Sequence, residues 1–354
     1  MIDVHVHFRD GSQSAKETIL HGMQIGALCG IRAFFDMPNC DPPLIDGHAI
    51  KERIELGQKY ADRISKQIGH PLFYGVYGGV TAEPMQLEHI VQAYRTHAPG
   101  MVALKMFAGH STGNMGLVDP ADQRNVFDNL ALSGYEGVLA VHCEKETLLH
   151  PELWDPMRPW THSISRGSEA ELVSVTEQVE HVLSSGFKGT LHICHISTQG
   201  ALEVVRQAKQ SGVAITCGAT AHHALLDCSA AGQNWNLLKM NPPLRSHTDR
   251  DAIFQGLLDG DIDWIESDHA PHTIPDKIAG ASGIPGFAGT LLLIKALRDH
   301  HIDDKRLVAL CQKRAATVFH IDIQPEHVVS DKEITELLPL IRASYPWDPF
   351  EFIR

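Results

Sequence analysis

The chain has 354 residues, a formal net charge of −13 and a hydrophobic content of 43%. This is enough for one large α/β domain or two average ones, and the acidic balance argues against nucleic acid as a partner, because phosphate binding needs a basic surface. No apolar run reaches the ~20 residues of a membrane span, and no signal peptide opens the chain, because Asp3, His5 and His7 interrupt the first apolar stretch.

Short apolar runs rich in β-formers alternate with longer amphipathic stretches along the chain. The predicted strands are Ile2–Phe8, Ile31–Asp36, Leu72–Val80, Met101–Phe107, Gly137–His142, Thr190–Ile196, Val213–Gly218 and Ile262–Ser267. The clearest predicted helices are His48–Lys66, Pro84–His97, Ser168–Ser185, Gln199–Ser211 and His247–Leu258, with two more starting at Gly289 and Lys305. Apolar residues in these helices recur at spacings of three and four.

Strands that alternate with helices imply parallel pairing and a sheet covered by helices. Eight such units predict an α/β fold of the (β/α)8 TIM barrel type. We expect one metal-dependent hydrolase barrel domain over residues 1–354, with a C-terminal strap over about 322–354. The competing fold, a doubly wound open sheet, lacks a glycine-rich phosphate loop after its first strand.

The seven cysteines are irregularly spaced and form no CxxC pair. This pattern is typical of reduced thiols, and it predicts a cytoplasmic protein rather than a disulfide-linked secreted one.

Two histidines lie close together on the first predicted strand. His5 and His7 point to the same face, because side chains alternate along a strand. They could bind one metal ion, but two ordinary histidines on a half-buried strand would give the same pattern.

Further polar residues lie at the ends of other strands, where a barrel carries its chemistry. They are Lys105, His142, His195 and Asp268. Each has an ordinary explanation alone, as a core histidine, a snorkelling lysine or a capping aspartate. Together they would make five strand ends polar at a high burial cost, so we predict a metal site there. We interpret Cys143 and Cys194, expected on the opposite face from the neighbouring histidines, as core residues.

Several motifs occur in the order found in one known family. They are DVHVHFRDG, MPN at 37–39, LKMF, VHCE, CHIST, KMNPPLR at 239–245 and SDHAPH at 267–272. The chain therefore resembles the dihydroorotase family of the amidohydrolase superfamily, over His5 to about Gly289. The last two motifs are specific to dihydroorotases and their closest cyclic amidohydrolase relatives.

The chain also departs from that family. Many relatives place a small β-sandwich domain around the barrel, whereas here the histidine pair begins at residue 5, so we expect a barrel without it. The motifs combine two branches, one with a bridging lysine and one that often carries a bridging aspartate. This leaves the number of metal ions open.

The resemblance implies two zinc ions that share a bridging hydroxide. The first would bind His5, His7 and Asp268, the second His142 and His195, and a carboxylated Lys105 would bridge both. Zinc favours imidazole and carboxylate ligands, and metal-bound water ionises near neutral pH. Asp268 would be the general acid and base that accepts the hydroxide proton and delivers it to the ring nitrogen.

The resemblance also implies a set of substrate contacts. The substrate carboxylate would be bound by Arg9, Asn39 and His272. The pyrimidine ring would be contacted by Asn241 and by the backbone of Gly286 and Phe287. Thr112 would reach the substrate from a lid at 108–116. An arginine suits this task because its guanidinium binds a carboxylate bidentately. The alternatives are a turn at Asn39, a hinge at Gly286 and an ordinary flexible loop at 108–116.

The implied activity is the reversible cyclisation of N-carbamoyl-L-aspartate to L-dihydroorotate and water, in de novo pyrimidine biosynthesis. One alternative is another cyclic amidohydrolase, a hydantoinase (dihydropyrimidinase) or allantoinase, whose substrate would give Arg9 no ring carboxylate to bind. A second is an inactive scaffold subunit for aspartate transcarbamoylase, but such proteins usually lose metal ligands. A homodimer and an association with aspartate transcarbamoylase are further expectations.

Overall fold

A parallel sheet curls into a barrel at the centre of the molecule. The computed structural model describes residues 1–111, 113–230, 236–323, 328–351 and 353. Its strands are β1 (Ile2–Val6), β2 (Ala33–Asp36), β3 (Phe73–Gly79), β4 (Met101–Ala108), β5 (Gly116–Leu117), β6 (Val138–Cys143), β7 (Thr190–Ile193), β8 (Ile215–Ala219) and β9 (Trp264–Ile265). Within the described ranges, eight of them follow one another in parallel, and the short β5 pairs only with β4.

The barrel closes between its first and last strands. The N–H of His7 donates to the carbonyl of His269 at 2.8 Å, and Val6 forms a parallel bridge with His269. All strands of the described ranges belong to this sheet, so no β-sandwich accompanies the barrel there.

Helices follow most strands and cover the outside of the barrel. They are α1 (Ile19–Leu28), α2 (Gly47–Ile68), α3 (Pro84–His97), α4 (Pro120–Leu132), α5 (Thr161–Ser165), α6 (Ser168–Ser185), α7 (Gln199–Gln210), α8 (Ala221–Leu225), α9 (His247–Asp259), α10 (Ile274–Ile278), α11 (Phe287–Asp299), α12 (Asp304–Val308), α13 (Arg314–Val318) and α14 (Asp331–Ala343). The predicted (β/α)8 barrel is thus confirmed, and each predicted strand overlaps an observed one. Among the described helices, none combines the length and apolar composition that crossing a membrane requires.

An aromatic cluster packs inside the barrel. The ring of Phe319, which follows α13, lies 4.9 Å from Phe35, 5.8 Å from Trp264 and 6.3 Å from Tyr77, measured between ring centroids. These side chains are buried, and they give the polar strand ends an apolar base.

The C-terminal segment is more regular than the predicted strap. Its described part contains α14 and a docked tail in which Phe350 is fully buried. A Cβ atom added to Gly289 of α11 would lie only 2.2 Å from the Phe350 ring, so the two elements pack without a gap. Arg342 donates to the carbonyls of Phe350 and Ile353. Residues 324–327, 352 and 354 lie outside the described ranges, and the domain boundaries stay a prediction.

Replacing Phe350 with alanine should lower the free energy of unfolding by about 3–5 kcal/mol, because it leaves a cavity against α11. Urea denaturation monitored by circular dichroism measures this. The matched control is Leu340→Ala on α14, whose side chain is largely exposed and should change stability by less than about 0.5 kcal/mol. Equal effects of the two substitutions would contradict the docking of the tail.

Candidate active site

The polar residues singled out from the sequence meet at the carboxyl ends of the barrel strands. His5 lies in β1, Lys105 in β4 and His142 in β6, while His7, His195 and Asp268 follow β1, β7 and β9. All six side chains are buried. Parallel register brings them together, because the carboxyl ends of all the strands lie at the same end of the barrel.

The first cluster has the spacing of a metal site. Asp268 Oδ1 lies 3.0 Å from His7 Nε2 and 3.4 Å from His5 Nε2. One ligand atom from each of these three residues lies within 4.8 Å of the others. Ligands about 2.1 Å from a tetrahedral zinc ion are separated by roughly 3.4 Å, so the group fits one ion.

The second cluster adjoins the first. His142 Nδ1 lies 3.1 Å from His195 Nε2, which is also a separation that one shared ion would produce. The rings of His195 and His5 have their centroids 5.1 Å apart, so the two clusters form one continuous centre.

Three of the four histidines also face an oxygen with their other ring nitrogen. The contacts are His7 Nδ1 to Asn39 Oδ1 at 2.8 Å, His142 Nε2 to Glu144 Oε2 at 3.1 Å and His5 Nδ1 to Glu266 Oε1 at 3.4 Å. Histidines that bind metals are held in this way, with one nitrogen turned to the metal and the other to an acceptor. The donor set therefore fits a metal ion.

Two of the three residues in the first cluster have the protonation state that a metal ligand needs. Burial alone would raise the pKa of Asp268, but His7 and His5 hold that pKa well below its usual range, so the carboxyl is ionised. Burial lowers the pKa of His7 to about 4, which leaves its imidazole neutral at pH 7. At His5 burial acts in the same direction, but Cys194 and Glu266 raise its pKa to about 10, so a bound metal would displace a proton there.

Lys105 is fully buried beside both clusters, and its Nζ lies 2.9 Å from Cys194 Sγ. Cys194 belongs to a buried hydrophobic cluster, as expected of a core residue, but its expected orientation away from the site is wrong. Strand β7 ends at Ile193 and His195 has a φ of +35°, so side chains no longer alternate there, and Cys194 and His195 both reach the site. Carboxylation of Lys105 stays a prediction.

Arg9 and His272 are both predicted to bind the substrate carboxylate. Arg9 Nε and His272 Nδ1 are buried and have no hydrogen-bond partner among the described residues. Burial and the neighbouring charge of Arg9 lower the pKa of His272 to about 3. Arg9 lines the same small cavity as His5, His7 and Asp268. His272 lies outside the described lining of that cavity, and its Nδ1 lies 3.9 Å from Asp276 Oδ2. Arg9 is therefore the residue placed beside the candidate metal ligands, and its guanidinium suits a substrate carboxylate.

The other predicted substrate contacts differ in whether they line the inner cavity. Asn39 and Asn241 line the inner cavity, but Asn39 Oδ1 also contacts His7 and Asn241 Oδ1 lies 2.9 Å from His162 Nε2. Gly283 also lines this cavity, as does the adjacent Ser282.

The structure places Gly286 and Phe287 outside the described lining of that cavity. The N–H of Gly286 already donates to His269 Nδ1 at 3.1 Å, and the Phe287 ring stacks on His269 at 3.8 Å. Thr112 lies outside the described residues, although its neighbour Ser111 lines the cavity.

A larger cavity of about 300 Å³ adjoins the inner one, which measures about 20 Å³. The two share Asn241 and Ser282, and the larger one adds the apolar side chains of Leu149 and Trp154 and the cations Arg166 and Lys239. Together they can admit a small polar molecule to the candidate metal ligands.

Sequence reasoning missed two buried carboxylates, Glu144 and Glu266. Arg166 donates to Glu144 at 3.0 Å through Nε, and this arginine and His142 hold the pKa of Glu144 well below its usual range against the effect of burial. Each glutamate lies two residues from a predicted ligand, His142 or Asp268, which is the spacing of one strand face. That spacing was the signal that could have found them.

Comparison with known proteins finds close sequence relatives. The chain is 31% identical over 331 residues to the dihydroorotase of Lactobacillus johnsonii, covering 91% of this chain and 73% of that protein. It is 31% identical over 370 residues to the dihydroorotase of Halobacterium salinarum, covering 99% of this chain and 81% of that protein. No protein-family model matches the sequence.

Solved structures show the same fold. The L-hydantoinase (dihydropyrimidinase) of Arthrobacter aurescens superposes with a TM-score of 0.77 at 22% identity, over 93% of this chain and 72% of that one. The D-hydantoinase (dihydropyrimidinase) of a Thermus species gives 0.73 at 23% identity, over 90% and 70%. Because the sequence identities to these two structures are below 25%, the comparison shows a shared fold alone.

Removing metal should lower the melting temperature, because an ion that binds only the folded state stabilises it by about 2.7 kcal/mol at 100 times its Kd. Thermal denaturation with dipicolinate, and again after zinc is restored, measures the shift. The melting temperature of the His142→Asn variant should change less on chelation and zinc addition. The exposed His150 serves as control, and its His150→Asn variant should show the same shift as the wild type. If neither dipicolinate nor zinc changes the melting temperature of the wild type, the proposed metal centre is contradicted.

Proposed function

The chain belongs to the dihydroorotase family, and we propose that it catalyses the reversible cyclisation of N-carbamoyl-L-aspartate to L-dihydroorotate and water, a step of de novo pyrimidine biosynthesis. The observation that carries the proposal is the placement of Arg9, whose buried Nε has no hydrogen-bond partner in the described ranges. Arg9 lines the cavity formed by His5, His7 and Asp268. The site thus combines metal ligands with a receptor for a carboxylate.

The family implies a metal cofactor, and we propose two zinc ions per chain. His5, His7 and Asp268 would hold one ion, His142 and His195 the other, and a carboxylated Lys105 would bridge them. When bound, zinc supplies Lewis acidity at the amide carbonyl and at the attacking water. This assignment is supported by the ring nitrogens of the four histidines. One nitrogen of each imidazole faces another candidate ligand, and in three of the four the other nitrogen contacts an oxygen.

Asp268 is the proton carrier in this proposal. Its carboxylate is ionised beside His5 and His7, so it can accept the proton of the attacking water during ring opening. It then delivers that proton to the departing ring nitrogen. In the direction of cyclisation the same carboxylate removes the nitrogen proton, as microscopic reversibility requires.

The remaining residues orient the substrate. Arg9 and His272 would bind the carboxylate, which fixes the ring relative to Asp268. Asn241 and Gly283 line the same cavity and are placed to contact the polar edge of the ring. The N–H of Gly286 donates to His269 and that of Gly283 donates to Lys239. The backbone contacts at Gly286 and Phe287 stay predictions.

The cytoplasmic location inferred from the sequence stays part of the proposal. All seven cysteines of the chain are free thiols, which is the state that a reducing compartment maintains.

Arg9→Met should reduce kcat/KM for dihydroorotate by about 30- to 1,000-fold, because it removes one partner of a buried charge pair worth roughly 2–4 kcal/mol. Ring opening is followed by the loss of ultraviolet absorbance of the ring, with dihydrouracil as the substrate that lacks a carboxylate. Arg206→Met on the protein surface is the matched control and should retain wild-type rates.

The wild type should open dihydroorotate much faster than dihydrouracil. A preference for dihydrouracil would instead indicate a hydantoinase, and inactivity of the zinc-loaded protein on both compounds would indicate a scaffold.

A further inference from the structure

A buried glutamate lies directly beneath the candidate metal centre. Glu266 is fully buried, and its two carboxylate oxygens have different partners. Oε2 accepts from the Trp264 indole N–H at 3.1 Å and lies 3.1 Å from His192 Nε2. Oε1 accepts from the main-chain N–H of His195 at 2.5 Å and lies 3.4 Å from His5 Nδ1. One oxygen is therefore anchored, and the other faces two candidate metal ligands.

The barrel makes room for this carboxylate. A Cβ atom added to Gly218 of β8 would lie 2.1 Å from Glu266 Oε2 and 2.9 Å from the Trp264 indole nitrogen. A side chain at position 218 would thus displace the glutamate or its anchor. The neighbouring strand leaves a slot of the size of this group.

The two ligands that Glu266 contacts belong to different halves of the centre. His5 lies beside Asp268, whereas His195 faces His142. His195 also has a φ of +35°, a conformation that costs free energy for a residue with a side chain and that its surroundings must hold. The hydrogen bond from its N–H to Glu266 contributes to holding it.

We propose that Glu266 is a positioning residue that orients one ligand in each half of the metal centre, the imidazole of His5 and the main chain of His195. It holds His5 with Nε2 toward Asp268 and His195 with Nε2 toward His142. This inference rests on the metal centre of the proposed function. Carboxylates that hold metal-ligating histidines typically change metal affinity 10- to 100-fold when they are replaced.

Zinc affinity of the purified full chain, measured by competition with a chromophoric chelator, tests the role separately from activity. Glu266→Gln keeps the size of the side chain but replaces one acceptor oxygen with an amide NH2. This group is a donor and cannot accept hydrogen bonds from the N–H donors around it. We expect its zinc affinity to fall 10- to 100-fold. Cobalt-loaded protein should also show shifted visible absorption bands, which report ligand geometry directly.

The matched control is Asp263→Asn. Asp263 is another buried carboxylate, three residues earlier in the chain, and it pairs with Lys209 and Arg314 without contacting a candidate ligand. Its replacement should lower stability but leave zinc affinity within about twofold of the wild type. Loss of affinity in both variants alike would overturn the proposal, since general destabilisation would explain it.

A folded Glu266→Gln protein with wild-type zinc affinity and cobalt spectrum would also overturn it. If Glu266→Gln does not fold, Glu266→Asp, which keeps the charge but withdraws it by one methylene, takes its place with the same two readouts. A wild-type chain that binds no zinc would overturn the metal centre itself, which distinguishes that failure from a failure at Glu266.

Discussion

The site depends on the burial of several polar and ionised side chains at one end of the barrel. An ionised group removed from water costs several kcal/mol unless it is paired, so each needs a partner. Asp268 finds His5 and His7, Glu144 finds His142 and Arg166, and both oxygens of Glu266 have partners. These pairs define which way the imidazoles of His5, His7 and His142 face. The inner nitrogens are then left to converge on one another, which is the arrangement that a cation completes.

Backbone conformation adds a second constraint. Both His195 and Asp268 have positive φ values, +35° and +46°, immediately beyond the strands that precede them. Side chains in this conformation cost free energy, and their occurrence at two candidate ligands fits the storage of strain at functional sites. The rigid barrel and the hydrogen bond from the His195 N–H to Glu266 hold the conformation.

Period-two alternation was enough to predict the fold and the main cluster, because His5, His7 and Lys105 lie on or just beyond regular strands. It failed where the strand ended. Cys194 reaches the site because β7 stops at Ile193. The positive φ of His195 could not be predicted either, because residue propensities do not indicate a left-handed conformation for a histidine. The backbone N–H of Gly286 could not be assigned from sequence either, since its partner His269 becomes its neighbour only after folding. The two-residue spacing from Asp268 marks Glu266 in the sequence, but only the folded barrel shows that it contacts both His5 and the main chain of His195.

The charge balance of the site explains how an acidic chain can bind an anionic substrate. Asp268, Glu144 and Glu266 place three carboxylates at the centre, and the chain as a whole carries −13. Arg166 pairs with Glu144, and both oxygens of Glu266 have partners, so the buried carboxylates are partly balanced at short range. Two divalent ions held by the proposed ligands would invert the local potential beside Arg9. In this reading the metal ions attract the substrate as well as activate it, so Asp268, the carboxylate among the proposed ligands, also contributes to anion binding at short range.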